Sequence, residues 1–308
     1  MNTPSDNVPE SAGVSDPGYK SATRPFHCSV QRELWENRSI YIAPLIVAAV
    51  ELFGFFVSTV GLPERRRAVL LLGPEKARAG IEAPYDVVAI MLILTAFVVG
   101  LFYCLDALYG ERRERSILFW KSLPVSDRVT VLSKTSVPLI VLPLVTFVVI
   151  IATQILMLLW TSVLLINHGM SPSSTWTYVP LFQQSLILLY GLVVIALWHA
   201  PIYGWALLVS GVVRRATFLW AVLPLLAIAI FEKITFDTAH FAALLKDRVL
   251  GFAPHAFALG GGRGVAIDSL VQLTPGRYLS TPGLWLGLLF ATVCIAAAIR
   301  QRRYRGPL

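Results

Sequence analysis

Six long apolar stretches constrain this chain more than any other feature of its sequence. A helix needs about 20 apolar residues to cross a bilayer, because each backbone amide in the hydrocarbon must be paired within its own segment. The stretches lie at about 40–60, 87–108, 137–166, 181–213, 218–236 and 281–299. Only 14% of the residues are charged, whereas a soluble domain carries roughly a quarter. We therefore predict an all-α integral membrane protein with six transmembrane helices in the lipid bilayer, and a soluble enzyme is excluded.

Basic residues cluster between the apolar stretches and give the chain a formal net charge of +8. Lys and Arg beside membrane spans usually mark the cytoplasmic side. More of them lie on the side that holds both termini, and the C-terminal arginines are the clearest signal. We expect both termini in the cytoplasm of a bacterial-type inner membrane. No basic patch interleaved with aromatic residues indicates a nucleic-acid partner.

The segment before the first span has the pattern of an amphipathic helix. Residues 1–24 are polar and are predicted to form a disordered cytoplasmic tail, and residues 25–39 an interfacial helix. Phe26, Val30 and Leu34 recur every four residues on one face, and we place Glu33 and other polar residues around the other faces. The six-helix domain then covers 40–299, and 300–308 is a basic cytoplasmic tail.

The region between the fifth and sixth spans, 232–282, contains apolar pieces at 241–245 and 249–259 that are too short to cross a bilayer. Irregular backbone exposed to lipid would leave amides unpaired. We therefore expect short helices that dip into the outer leaflet.

The loop between the second and third spans is more ordered than a simple connection requires. It begins with the mixed charges of 111–115 and continues with the apolar block 117–120. Leu123-Pro124 then ends the helix, and Ser126 or Asp127 is suited to cap the next one. A short helix with an exposed apolar face is typical of a docking surface.

This loop resembles the segment after the second helix of ABC-2-type ABC transporter permeases. The matching residues are Glu111, Arg112, Glu114, Arg115, Ser116, the apolar block 117–120, Leu123 to Ser126, and Lys134. The common family form has Gly-Thr where this chain has Arg115-Ser116, which suggests a subfamily. The layout of residues 26–305 also resembles the family, with 25–39 similar to its interfacial elbow helix.

The resemblance implies that 111–124 is a cytoplasmic coupling helix that docks into a separate ABC-type ATP-binding subunit. The docking residues would be Glu111, Arg112, Arg113, Arg115, Ser116, Phe119, Trp120, Leu123 and Pro124. It further implies a second permease copy, either the same chain or a related one, and export of a hydrophobic or amphipathic substrate. ATP and Mg would bind the partner subunit, and this chain would hold no cofactor. An alternative is that the arginines only anchor the chain at the membrane surface.

Motifs for catalysis are absent from the sequence. It contains no GxxxxGK[ST] phosphate loop, no HExxH zinc motif and no GxSxG nucleophile motif, so we predict no catalytic, cofactor-binding or metal-binding residue. Glu51 lies near the middle of the first span, where a charge is costly. It either lines a translocation pathway or pairs with a polar residue of another helix.

Two other functions compete with the exporter. One is a membrane-embedded hydrolase that uses Ser210 or a histidine, although no motif places a nucleophile beside a base. The other is a secondary transporter that is not driven by ATP. Such transporters commonly contain internal repeats, and the first three spans do not visibly repeat in the last three.

Overall fold

Six helices of the chain are long and apolar enough to cross a membrane. The computed structural model describes residues 23–71, 73–114, 126–258 and 269–304. In chain order, the first to sixth spans are Ser39–Ser58, Glu75–Arg113, Asp127–Asn167, Thr175–Val212, Thr217–Phe236 and Pro282–Tyr304. No β-strand occurs in the described ranges. The prediction of a multi-pass, all-α membrane protein with six spans is confirmed.

Shorter helices precede, extend or connect these spans. The helices are α1 (Thr23–Glu36), α2 (Ser39–Ser58), α3 (Leu62–Leu70), α4 (Pro74–Ala107), α5 (Tyr109–Arg113), α6 (Asp127–Ser136), α7 (Leu142–Asn167), α8 (Ser173–Tyr178), α9 (Leu181–Val212), α10 (Thr217–Phe236), α11 (His240–Leu250), α12 (Phe252–Ala256), α13 (Pro275–Leu279) and α14 (Pro282–Tyr304). A π-helical turn, Val137–Val141, joins α6 to α7.

The third span begins ten residues before the apolar stretch that predicted it. Its first helix, α6, starts at Asp127, and the Ser126 side chain accepts a hydrogen bond from the Val129 backbone N–H at 3.3 Å. This confirms Ser126 as the cap of the helix. Most of the side chains that α6 buries are polar, among them Ser133 and Lys134, so the apolar pattern of the sequence did not reveal its inward face.

Helix α9 is the centre of the bundle and packs against α4, α7 and α14. It runs without a break across Pro201. Leu207 and Tyr203 of α9 belong to a core cluster with Leu142 of α7 and Cys104 of α4. This cluster holds the second, third and fourth spans together beside the charged residues described below.

Short helices occur between the fifth and sixth spans, as expected, in the described parts of this region, 237–258 and 269–281. α11, α12 and α13 pack against α9, where the Trp198 indole donates to the Asp247 carbonyl at 3.0 Å. On the same side, the Tyr278 hydroxyl donates to the Val194 carbonyl at 3.0 Å. Their depth in the outer leaflet stays a prediction.

Candidate functional site

Charged side chains from four helices meet at one end of the bundle, where the second and sixth spans end and the third begins. We call this group the ion cluster. Its members are Arg32 and Glu33 of α1, Glu111 of α5, Asp127 and Lys134 of α6, and Arg302 of α14. The cluster therefore joins segments far apart in the chain, and it lies at the start of the predicted coupling segment.

Lys134 is the central cation of the ion cluster. Its ammonium lies 2.8 Å from one carboxylate oxygen of Glu33 and 3.2 Å from Glu111. The Tyr103 hydroxyl of α4 donates to the second oxygen of Glu33 at 2.8 Å. Lys134 is 2% exposed and Glu33 is 1% exposed. Two buried carboxylates are thus held by one buried ammonium, which ties α1 and α5 to α6.

Arg302 closes the other side of the cluster. Its guanidinium forms an ion pair with Glu111 and donates through Nε to Asp127 at 3.0 Å. Arg32 approaches Glu111 from α1, with 3.6 Å between nitrogen and oxygen. Three carboxylates therefore face three cations. This balance lets the charges remain ionised while buried, because an uncompensated buried charge is strongly unfavourable.

A second set of contacts fixes the turn between α4 and α5 to α9. Arg112 donates to the Gly211 carbonyl at 2.8 Å and to the Val213 carbonyl at 3.3 Å. The Ser210 hydroxyl accepts from the backbone N–H groups of Leu108 at 2.9 Å and Tyr109 at 3.2 Å. The beginning of segment 111–124 is therefore attached to the fourth span as well as to the ion cluster.

The arrangement is suited to mechanical connection. Each carboxylate of the ion cluster has a cation as partner, so none is poised as a free base. Among the described residues, no group of three or more His, Cys, Asp or Glu side chains is arranged to hold a metal ion. Ion pairs of this kind are charge-assisted and hydrogen-bonded, so they connect α1, α5, α6 and α14 at this end of the bundle.

The predicted docking residues divide between the interior and the surface. Glu111 and Arg112 are buried and bound within the chain. Arg113 is exposed, with its guanidinium 3.3 Å from Glu114 and 5.6 Å from the centre of the Tyr109 ring. The remaining predicted residues, Arg115, Ser116, Phe119, Trp120, Leu123 and Pro124, lie outside the described residues. Docking stays a prediction for all of them.

Glu51, the candidate pathway residue, is half-buried in α2. Its carboxylate makes no hydrogen bond or ion pair with another described residue of the chain. Among the described residues, Glu51 therefore has no polar partner on another helix of the chain. Its role in a translocation pathway stays a prediction.

Ser210 and His199 do not form a hydrolytic pair. Both lie on α9, eleven residues apart, which corresponds to about 16 Å along the helix axis. Ser210 accepts two backbone N–H groups, and the His199 ring contacts the carbonyls of Ile195 and Val249. Their contacts are structural.

The sequence interpretation of α1 missed its most important residue. We placed Glu33 among the polar faces, but it is the most deeply buried described residue of the helix. Helical geometry contained the signal, because residues at i, i+4 and i+7 share a face, and Glu33 is seven residues after Phe26 and three after Val30. A carboxylate at the edge of an apolar face, beside Phe26, indicates a buried partner, which proves to be Lys134.

Comparisons with protein-family models, with curated proteins and with solved structures find no match to this chain.

Proposed function

We propose that this chain is the transmembrane permease subunit of an ATP-driven ABC exporter, powered by a separate ATP-binding subunit. The observation that supports it best is the ion cluster at the beginning of segment 111–124. A partner that pushes on this segment would act directly on Glu111, which is paired with Lys134 and Arg302. Those partners begin the third span and end the sixth.

The connections explain how a local push would become a movement of the spans. Buried ion pairs resist separation, because breaking one leaves an uncompensated charge in a low-dielectric interior. Arg112 adds a tie to the end of the fourth span. Displacement of the coupling segment would therefore carry the third, fourth and sixth spans together instead of being absorbed in a loop.

The surface of the spans is compatible with the expected second permease copy. Only 6% of the residues in the apolar stretch of α10 are buried, so this helix faces lipid or another subunit along most of its length. Glu51 of α2 lacks a partner among the described residues. In the proposed assembly, the two copies enclose a path for a hydrophobic or amphipathic substrate, both termini are cytoplasmic, and ATP and Mg bind the partner subunit.

Co-purification with an ATPase tests the proposal directly. The full chain is expressed with the ATP-binding proteins of its own cell, and the captured complex is assayed for ATP hydrolysis. We expect the double variant Phe119→Ala/Trp120→Ala to release the ATPase, because buried aromatic anchors dominate binding at many interfaces. Phe182→Ala/Trp285→Ala is the matched control, since both of these aromatic side chains are exposed elsewhere, at 78% and 58%. Absence of an ATPase, or equal retention in both variants, would reject the exporter.

A change in the ion cluster separates docking from transmission. Arg302→Lys keeps the positive charge but loses the planar fork that bridges Glu111 and Asp127. We expect the ATPase to remain bound while its hydrolysis no longer responds to the permease. Normal stimulation of hydrolysis in this variant would show that the cluster does not transmit force.

A further inference from the structure

A cavity of about 650 Å³ opens between the beginning of α6 and the last turns of α14. Its described lining consists of Ser126, Asp127, Arg128, Ala296, Ile299, Arg300, Arg303 and Tyr304. Binding sites for small organic molecules commonly have volumes of about 300–1,000 Å³, so this cavity is large enough for a phospholipid headgroup with its glycerol.

The charge of the cavity is strongly positive. Arg128, Arg300 and Arg303 are exposed, and their guanidinium groups form no hydrogen bond or ion pair with any other described residue. Among the described residues of the lining, Asp127 is the only carboxylate, and it already accepts a hydrogen bond from Arg302 at 3.0 Å. Three guanidinium groups around one space favour a phosphate, to which arginine donates in a fork geometry.

The apolar part of the lining distinguishes a lipid from a free phosphate. Ala296, Ile299, Arg300 and Arg303 lie at spacings of three, four and seven residues, so they share one face of α14. Towards the bilayer, this face continues through Val293 and Leu289, which are 58% and 62% exposed. One helix face thus changes from apolar to basic where the sixth span leaves the hydrocarbon, as a phospholipid changes from acyl chain to headgroup.

We propose that this cavity binds an anionic phospholipid, independently of the proposed transport function. The phosphate lies among Arg128, Arg300 and Arg303, and an acyl chain follows Ala296, Val293 and Leu289. The three uncompensated arginines favour an anionic lipid such as phosphatidylglycerol over zwitterionic phosphatidylcholine, whose choline would add a further positive charge. Because Asp127 joins the cavity to Arg302, the lipid binds beside the ion cluster.

Lipid binding to the purified full chain tests the proposal. Native mass spectrometry of the detergent-solubilised protein is used to titrate phosphatidylglycerol, phosphatidylcholine and inorganic phosphate separately. We expect phosphatidylglycerol to bind most tightly, and Arg300→Gln/Arg303→Gln to weaken it by at least about tenfold, since each charge-assisted hydrogen bond is worth about that factor. Arg128→Gln, on the facing helix, gives a smaller loss in the same direction.

Arg214→Gln/Arg215→Gln is the matched control, because this exposed pair carries the same charge and lies outside the cavity. It is expected to keep the affinity for phosphatidylglycerol. An equal loss in this control would mean general attraction to a basic surface, and would overturn the site. Inorganic phosphate that binds as tightly as the lipid would overturn the lipid assignment, and so would equal binding of phosphatidylcholine.

Discussion

At the residue scale, Lys134 is a residue whose substitution we expect to destabilise the protein. It contacts Glu33 and Glu111 and is almost completely buried. Replacing a buried ion pair with apolar groups can be nearly neutral, whereas removing one partner leaves a charge that neither water nor protein compensates. Removal of Lys134 alone is therefore expected to destabilise the protein, whatever the net contribution of the intact ion cluster.

Lys134→Met is expected to lower the free energy of unfolding by about 3–5 kcal/mol, because two buried carboxylates lose their shared cation. Thermal or denaturant unfolding in detergent measures the change. Adding Glu33→Gln should recover part of the loss, because Lys134 is the cation that pairs with Glu33, whereas Glu111 keeps its ion pair with Arg302.

Lys233→Met is the control for this prediction, because it breaks an exposed i,i+4 pair with Asp237, and such pairs contribute little. A Lys134 variant as stable as this control would contradict the structural role of the ion cluster.

At the element scale, two spans approach each other closely where Gly204 of α9 meets Ala291 of α14. A Cβ at position 204 would lie 3.1 Å from the Ala291 Cα and 3.2 Å from its carbonyl oxygen. Small residues let transmembrane helices pack closely, and van der Waals contact then supplies much of the association. This contact positions α14, and therefore Arg302, against the ion cluster.

Gly204→Val is expected to push α9 and α14 apart and to destabilise the protein by about 1–3 kcal/mol, the usual cost of overpacking. Gly54→Val is the matched control, because it also lies in a span but has no atom within 4 Å of the position of a Cβ. The midpoints of thermal unfolding of the two variants provide the comparison. Equal midpoints would show that the two helices are not in tight contact at this position.

At the scale of the whole molecule, the spans differ sharply in how far they are packed within one chain. In the fourth span, which contains the central helix α9, 39% of the residues in the apolar stretch are buried. In α10, the fifth span, only 6% are buried. Leu219, Leu223, Leu226 and Ile230 of α10 are each about half exposed and follow one helix face. The proposed second copy would cover part of this surface.

Cysteine cross-linking tests that assembly. In a background without Cys28, Cys104 and Cys294, single cysteines are placed along 218–230 and oxidised in membranes. We expect disulfide-linked dimers to recur about every 3.6 residues, because only one helix face lies at the interface. Leu144 and Val148 of α7, which are 52% and 63% exposed, are the comparison positions. Dimers that form equally at these positions, or no dimers along α10, would reject this interface.

The sequence by itself determined the membrane class and the number of spans, because hydrocarbon solvent imposes a length and an apolar composition on each helix separately. It also limited the cap of α6 to Ser126 or Asp127, because a cap depends on neighbouring residues alone. The burial of Glu33, the early start of the third span and the meeting of Lys134, Glu111 and Arg302 were decided only by the tertiary structure. The sequence does not show whether a charged residue is exposed to water or buried in the interior. Burial becomes favourable only when the fold brings a partner from another part of the chain.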